Sequence, residues 1–348
     1  MRLHATQIVR AWAQNFPADQ LTVVGPRWAV QELQFPNVRV KRWPNENVVF
    51  RAIGQIFVTA FLAFFLRAER VVSLSPVVSP FLRKSQSVCF NHDWRHKKVP
   101  GEFGMAQRTY RKLWELSAAR AGLVVCISKK TEQETRSFVP KARTVVVPNG
   151  SDHARDWLQP SRSKTDSKIV VTFGHHNNKR PELVIDAFSQ IGTPFSRNSQ
   201  LVVLGAKDDY RDALVSRTAR LGISSRVTFP GFVTEREYQR VISSADAIVL
   251  ASSDEGFGLP IVEARYFGIP AIVTTDSGLA EIHTDLLVAW PSGPSLAVAL
   301  QEALTQGVSA AEPVHCDTSW AARTATLRGL VAGPPQRERH PRLGEARD

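Results

Sequence analysis

Apolar runs of strand length alternate along the chain with stretches in which apolar positions recur every three or four residues. In the first half the runs are LTVVG (21–25), NVRVKRW (37–43), RVVSLS (70–75), SVCFNHD (87–93), LVVCIS (123–128) and TVVVPNG (144–150). A second series comprises KIVVTFG (168–174), LVVLG (201–205), RVTFPG (226–231), AIVLAS (247–252) and AIVTTD (271–276). Helical spacing lies between them, as in PELVIDAFSQI (181–191) and EREYQRVISSA (235–245). Such alternation predicts βαβ units and parallel sheets.

The polar stretch 149–168 separates the two series and marks a domain boundary. We expect an α/β chain with one Rossmann-like domain over 1–148 and a second over 149–316. A closing helix over 317–332 and a disordered tail rich in Pro, Gly and charge over 333–348 complete it. Two such domains leave a cleft at the carboxyl ends of both sheets, where ligands of doubly wound sheets bind. The opening is unusual for this class, because HATQIVRAWAQNF (4–16) is helical in spacing where a strand and a glycine-rich loop are expected. Either the domain begins with a helix, or its first strand is missing.

One run breaks the pattern. AIGQIFVTAFLAFFL (52–66), flanked by Arg51 and Arg67, is apolar on all sides. It falls short of the roughly 20 residues that cross a bilayer. A buried or groove-lining helix is the expectation, and a membrane-facing helix the alternative.

Composition narrows the partners. Hydrophobic residues make up 43% of the 348, enough for two packed cores. The formal charge of +12 favours an anionic partner: nucleic acid, an anionic membrane face or a phosphorylated ligand. No nucleic-acid-binding module is recognisable, so nucleic acid is not expected as a partner. Cys89, Cys126 and Cys316 show no CxxC spacing and read as free thiols of a reducing cytoplasm. The first residues carry no apolar signal-peptide core, which fits the same cytoplasmic expectation.

The densest chemistry is in ASSDEGFGLPIVEARYFGIP (251–270). A strand ends, a Gly-Phe-Gly turn follows, and a helix opens near Leu259 with Pro260 in its first turn. Gly256 and Gly258 allow close backbone approach, and the free N–H groups of the first turn with the helix dipole make an anion site. Glu255 and Glu263 flank it, and ionised carboxylates accept hydrogen bonds from hydroxyls. Acids for hydroxyls beside amides for phosphate suit a nucleotide-sugar.

This block resembles the E-G-F-G-L-P-x-x-E-A-x-x-x-G-x-P-V-I segment of the retaining glycosyltransferases of family 4, which have the GT-B fold of two Rossmann-like domains. VVVPNGSD, CISKKTEQE, RVTFPGFVTEREYQRVISSADAIVLAS and DTSWAARTATLRGL are similar to other family segments, so the resemblance runs from about Leu3 to Leu330. It implies that Glu263 binds ribose hydroxyls, that Glu255 holds hydroxyls of the donor sugar, and that the backbone of Gly256, Phe257, Gly258 and Leu259 holds sugar and diphosphate. Phe232 and Val233 would lie near the base. GHHNNKRPELVIDAF (174–188) is similar to the family's Gly-Arg…Lys loop, placing Gly174, Lys179 and Arg180 at the donor. His175 stands where many members have arginine, and the loop is shorter.

His92 and Asp93, at the end of the run 87–93, match the family's strand-end His-Asp on the acceptor side. A metal reading of His92 with His96 lacks a third ligand, and a structural histidine is the other alternative. The resemblance implies a hexose moved from a nucleotide diphosphate sugar to an acceptor hydroxyl, with no bound cofactor or metal. Mannose is the first donor to consider, and glucose, rhamnose and N-acetylglucosamine remain open. A donor phosphate oxygen would take the acceptor's proton, Lys179 and the amides would stabilise the leaving diphosphate, and His92 would orient sugar and acceptor. Glu255 completes the catalytic set. A sugar or lipid-linked acceptor, in polysaccharide or glycolipid synthesis, and contact with an anionic membrane face are the expected partners. A non-catalytic nucleotide-sugar-binding protein is the alternative, because the first strand and its glycine loop are not found.

Overall fold

The structure is a computed structural model that describes residues 2–44, 47–157, 167–309 and 318–332. In the first domain β1 (Leu21–Gly25) and β2 (Val38–Arg42) form a parallel pair. Next come β3 (Val71–Ser73), β4 (Ser87–Asn91), β5 (Leu123–Cys126) and β6 (Thr144–Val146), paired in that order in a four-stranded parallel sheet. The second domain holds β7 (Lys168–Phe173), β8 (Ser199–Leu204), β9 (Val227–Gly231), β10 (Ala247–Leu250), β11 (Ala271–Thr274) and β12 (Leu287–Ala289). They form one parallel sheet in the order β12-β11-β10-β7-β8-β9.

The continuous apolar runs are explained by burial on both faces of the second sheet. Val170, Leu201 and Val249 point to a core with Phe188 and Leu300, whereas Val171, Ile248 and Leu250 point to the opposite core with Ile261 and Leu279. Each fully buried side chain of this size contributes about 1.5–3 kcal/mol. The helix Pro181–Gln190 supplies Phe188, and Gly293–Gln306, which packs beside it, supplies Leu300.

In the first domain the helix Arg2–Asn15 begins the described chain, as its spacing predicts. With the final helix Trp320–Ala332 it covers one face of the four-stranded sheet, Ile8, Leu327 and Trp320 meeting Val88, Phe90 and Val125. The last helix thus crosses back to the first domain. Arg328 clamps Asp19 from it at 2.7 and 3.0 Å. The first part of the link between the domains is packed: Asp152–Asp156 is a short helix that buries His153 and Ala154. Gly150 lies against the Trp320 ring so closely that a β-carbon would overlap it.

One expectation needs correction and some fall outside the described residues. The segment 52–66 is not a buried helix: Val48–Phe65 forms one helix, with π-type turns at Gly54–Val58, that turns a row of phenylalanines to solvent. Strand β12 and the helix after it were not anticipated. Residues 158–166 of the linker, Cys316 and the tail 333–348 lie outside the described residues. Cys89 and Cys126 are free and buried, and burial pushes their thiols up to about 12 and about 11.

Candidate active site

The second sheet reverses its direction of growth between β7 and β10, which are neighbours in space but far apart in sequence. Such a switch point opens a crevice at the carboxyl ends of the two strands. The loop after β7 carries Gly174 to Arg180, and the loop after β10 carries Ala251 to Gly258. Asn178 ties the loops together: its carbonyl accepts from the Ser253 N–H at 2.9 Å, and its side-chain amide donates to the Asp254 carbonyl at 3.1 Å. Lys179 Nζ is thereby brought onto Glu255 Oε1, an ion pair largely shielded from solvent. Ser252 Oγ donates to the same carboxylate oxygen at 2.7 Å.

Glu255 stands just before the helix Leu259–Tyr266, whose entry is Gly258 in the left-handed region at φ +76°. A β-carbon there would also crowd Leu279. Among the described residues no acceptor faces the backbone N–H groups of Gly256, Phe257, Gly258 or Leu259. These donors sit at the positive end of a helix beside a lysine, an arrangement that holds a diphosphate. The Phe257 side chain points away, into the core shared with Ile127 and Val262.

The first domain closes on this loop. The His92 carbonyl lies against Gly256, so that a β-carbon there would overlap it. Lys130, from the helix Lys129–Phe138 after β5, pairs with Asp254 and donates to the Glu255 carbonyl at 2.7 Å. Lys98 reaches Asp254 at 2.9 Å and also pairs with Glu134. Lys98, Lys130 and Asp254 thus latch the two domains at the donor loop, and sequence reading missed all three. Their only trace was that Lys130 lies in the strand-end segment CISKK and Asp254 in the stretch 251–270.

Several predicted residues have different tasks. Arg180, itself left-handed at φ +46°, donates to both Asp276 oxygens at 2.8 and 2.7 Å, to Thr274 Oγ1 at 3.0 Å and to the Ala251 carbonyl at 2.6 Å. Its guanidinium is thus held by partners within the protein. Glu263 is 2% exposed. Its carboxylate accepts from His153 Nε2 at 2.9 Å and from the Tyr238 hydroxyl at 2.6 Å. An open acceptor for ribose is not what this arrangement presents. Burial, with the Glu263 charge beside it, pushes the Tyr238 hydroxyl far above its ordinary range, keeping it a donor.

Gly174 is closely packed, with Ala206 and Val203 3.0 and 3.2 Å from where its β-carbon would be. Phe232 is an exposed ring following β9, free to lie against a flat group, whereas Val233 packs into the core. Asp93 caps the short helix Arg95–Lys98 by accepting from the Arg95 N–H at 3.1 Å. The His92 ring Nε2 lies 3.1 Å from the Leu74 carbonyl. A carbonyl only accepts, so Nε2 carries the proton and Nδ1 of the neutral ring is an acceptor. Burial lowers the His92 pKa and favours that neutral form.

His92 and His96 do not converge. The first ring packs edge-on to His4, the second against Trp94 and Trp114. Among the described residues no group of three His, Cys, Asp or Glu side chains is placed to share an ion. A cavity of about 440 Å³, bounded by Ile127, Pro148, Phe257, Val262 and His283, lies behind the donor loop and does not include Lys179 or Glu255.

Residues 4–155 match the family model "Glycosyltransferase Family 4" and residues 154–311 match "Glycosyl transferases group 1". The chain is 26% identical over 219 residues to the O-antigen chain mannosyltransferase RfbU of Salmonella typhimurium, covering 62% of this chain and 59% of that protein. It is 31% identical over 137 residues to the mannosylfructose-phosphate synthase of Agrobacterium fabrum, covering 37% and 30%. An uncharacterized glycosyltransferase of Methanocaldococcus jannaschii, MJ1607, is 28% identical over 181 residues, covering 48% and 46%. The chain thus matches between about a third and three-fifths of these relatives' length.

Among solved structures, WaaG, a glycosyltransferase involved in lipopolysaccharide biosynthesis, superposes with a TM-score of 0.66 at 17% identity, over 95% of this chain and 91% of that one. Anabaena Alr3699/HepE, in complex with UDP and glucose, gives 0.65 at 18%, over 94% and 96%. That likeness carries the fold, two parallel Rossmann-like sheets in the GT-B arrangement. With two family models meeting at the packed link between those sheets, the chain belongs to the group 1, family 4 glycosyltransferases.

Proposed function

We propose that the protein moves a hexose from a nucleotide diphosphate sugar to an acceptor hydroxyl with retention at the anomeric carbon. The observation that carries this reading is the pairing of Lys179 with Glu255 beside the unpartnered amides of residues 256–259. A donor entering the cleft would replace that ion pair: the lysine and amides take the diphosphate, and the carboxylate takes sugar hydroxyls. No protein nucleophile is required when a diphosphate oxygen accepts the acceptor's proton as the glycosidic bond opens. Charge building on the leaving group is met by groups already in place, so they need little reorganisation. Turnover is expected to survive chelation of divalent ions.

His92 supplies an acceptor nitrogen at the first-domain side of the cleft, where it would orient the sugar. Phe232 is available to the base. Mannose is our first candidate for the sugar, since two similar proteins are a mannosyltransferase and a mannosylfructose-phosphate synthase. Transfer in polysaccharide or glycolipid synthesis, in the cytoplasm or at its membrane face, fits the buried free thiols and the basic charge. A screen of GDP-mannose, UDP-glucose, dTDP-rhamnose and UDP-N-acetylglucosamine, reading released nucleoside diphosphate with added acceptors, tests the reading. Release from none of them, with chelator present or absent, would overturn it.

One observation favours a second reading, a nucleotide-sugar-binding protein without transfer. Among the described residues no strand joins the β1–β2 pair to the β3–β6 sheet, so no strand-end loop opens between them. Tight nucleotide binding without release from any donor would support it.

A further inference from the structure

The helix Val48–Phe65 is attached to the first domain along one side only. Val48, Ala52 and Ile56 pack on Val77, Tyr110 and Trp114. Gln55 bridges Ser75 Oγ at 2.6 Å and the Tyr110 hydroxyl at 2.7 Å, and Trp43 lies against Gly54 while donating to the Phe50 carbonyl at 2.7 Å. The other side carries Val49, Ile53, Phe57 and Phe61 at four-residue spacing, and Phe64 and Phe65, three and four residues beyond Phe61, continue the row. Phe57, Phe61, Phe64 and Phe65 are 54%, 60%, 80% and 63% exposed. Phe81, 67% exposed, extends the row sideways, its ring 5.6 Å from that of Phe57. Contiguous apolar surface of this extent is a contact face.

The charge around the row has one sign. From 47 to 84 the charged residues are Arg51, Arg67, Arg70, Arg83 and Lys84 against Glu69 alone. Arg67, Arg83 and Lys84 are exposed at the end and flank of the row, and Arg39, Lys41 and Arg42 are exposed on β2, which leads into it. Arg70 is turned away, to the Val331 carbonyl at 2.6 Å. Phenylalanines framed by arginine and lysine match the two layers of an anionic bilayer surface, acyl chain below and phosphate above.

We propose that this face docks the protein on an anionic membrane, the helix lying in the plane of the interface with its phenylalanine row immersed. The helix has the length and mean hydropathy, 2.0 over 18 residues, that a short membrane span would have. Spanning would break the contacts of Ala52, Gln55 and Ile56 with the domain, which the in-plane position keeps. Those contacts also locate the membrane relative to the cleft. Gln55 and Ser79, whose hydroxyl bonds to the Ile56 carbonyl, hold the segment following β3, and the Leu74 carbonyl in that segment is the partner of His92. The docked face therefore adjoins the first-domain side of the cleft. The proposal does not depend on the identity of the donor.

Co-sedimentation of the full chain with vesicles of phosphatidylcholine, alone or with about a third phosphatidylglycerol, tests it. Partitioning onto the anionic vesicles is expected to exceed that onto neutral ones by about ten-fold, and to fall about ten-fold in a Phe57→Ser, Phe61→Ser, Phe64→Ser variant. Phe64→Ser alone, at the most exposed ring of the row, should give a smaller loss in the same direction and guards against misfolding of the triple variant. Arg83→Gln with Lys84→Gln should reduce the anionic preference and leave neutral binding unchanged. Equal sedimentation of wild type and triple variant would overturn the proposal, as would equal binding to both vesicle types. A dimer that the serine substitutions dissociate, without vesicle binding, would assign the face to a second copy. Retention of the chain in cell membranes through alkaline carbonate extraction would make the helix a span and also overturn it.

Discussion

The two domains of this protein are both built from parallel strands but differ at their centres. In the second domain β7 and β10 pair directly at the middle of six contiguous strands, and both loops that meet at Lys179 and Glu255 leave from that middle. In the first domain β1–β2 and β3–β6 are separate sheets, linked through the core of Val9, Ala29 and Leu33, against which Leu21 and Val23 pack from one side and Leu74 from the other. The contrast separates two tasks. The second domain fixes charges with short, fully paired strands, whereas the first supplies a lid of backbone and histidine that meets the fixed loop at Gly256.

If the second domain carries the chemistry, its central ion pair should be the most sensitive point. Lys179→Ala is expected to lower kcat by about 10²–10³ with a small change in donor KM, the range for removal of one preorganised charge-stabilising donor. Glu255→Ala should also act mainly on kcat. Steady-state kinetics on the active donor checks both. A rise confined to KM would reassign the pair to ground-state binding.

Closure by the first domain is probed at the contact itself. A β-carbon at residue 256 would overlap the His92 carbonyl, so Gly256→Ala should hold the domains apart. We expect a kcat loss of about ten- to a hundred-fold, because a small misplacement of reacting groups is costly, with nucleotide binding by calorimetry retained. Loss of nucleotide binding to the same degree would mean that the glycine serves the donor and not the lid.

Much of this contrast was legible in the sequence, for particular reasons. Eleven of the strands lie in the strand-length runs of the sequence, and β7, β8, β10 and β11 stand out as continuous apolar runs because they are buried on both faces. Strand β12 was not among them, although Ser292 and Pro294 mark the start of the helix that follows. Periodicity also could not orient Val48–Phe65, whose apolar residues surround it and leave no polar face to name the outside. At the site, Lys179 and Glu255 follow from local motifs. The Lys98–Asp254–Lys130 latch spans up to 156 residues and depends on how the domains meet, which no local motif encodes. For Glu263 the motif gave the position, but the buried partners His153 and Tyr238 come from elsewhere in the chain.

That last residue gives a smaller test, on the second domain alone. Glu263→Gln preserves shape but replaces one acceptor oxygen by a donor facing His153 or Tyr238. It should cost about 1–3 kcal/mol of stability, the penalty for leaving a buried polar group unmatched. If donor binding opens the cluster to hydroxyls, donor KM should also rise about ten-fold. A stability loss with unchanged KM would make the cluster purely structural.

The smallest expected effect compares one histidine from each domain. His96 is packed on Trp94 and Trp114 with neither ring nitrogen hydrogen-bonded, and burial lowers its pKa to about 4. His175, on the loop after β7, is lowered to about 3, first by burial and then by Lys179. Both fold neutral, while an unfolded histidine takes up its proton near pH 6.5. Between about pH 6.5 and 4 the unfolded chain binds more protons, so stability is full above that window and falls as pH drops through it. His96→Phe keeps the aromatic contacts and removes the titration, and should flatten part of the decline in melting temperature. His175→Phe should flatten the remainder and extend the effect to about pH 3. If the first-domain variant alone flattens the curve, acid opening starts at the divided sheet; if only His175→Phe does, it starts beside Lys179, at the site itself.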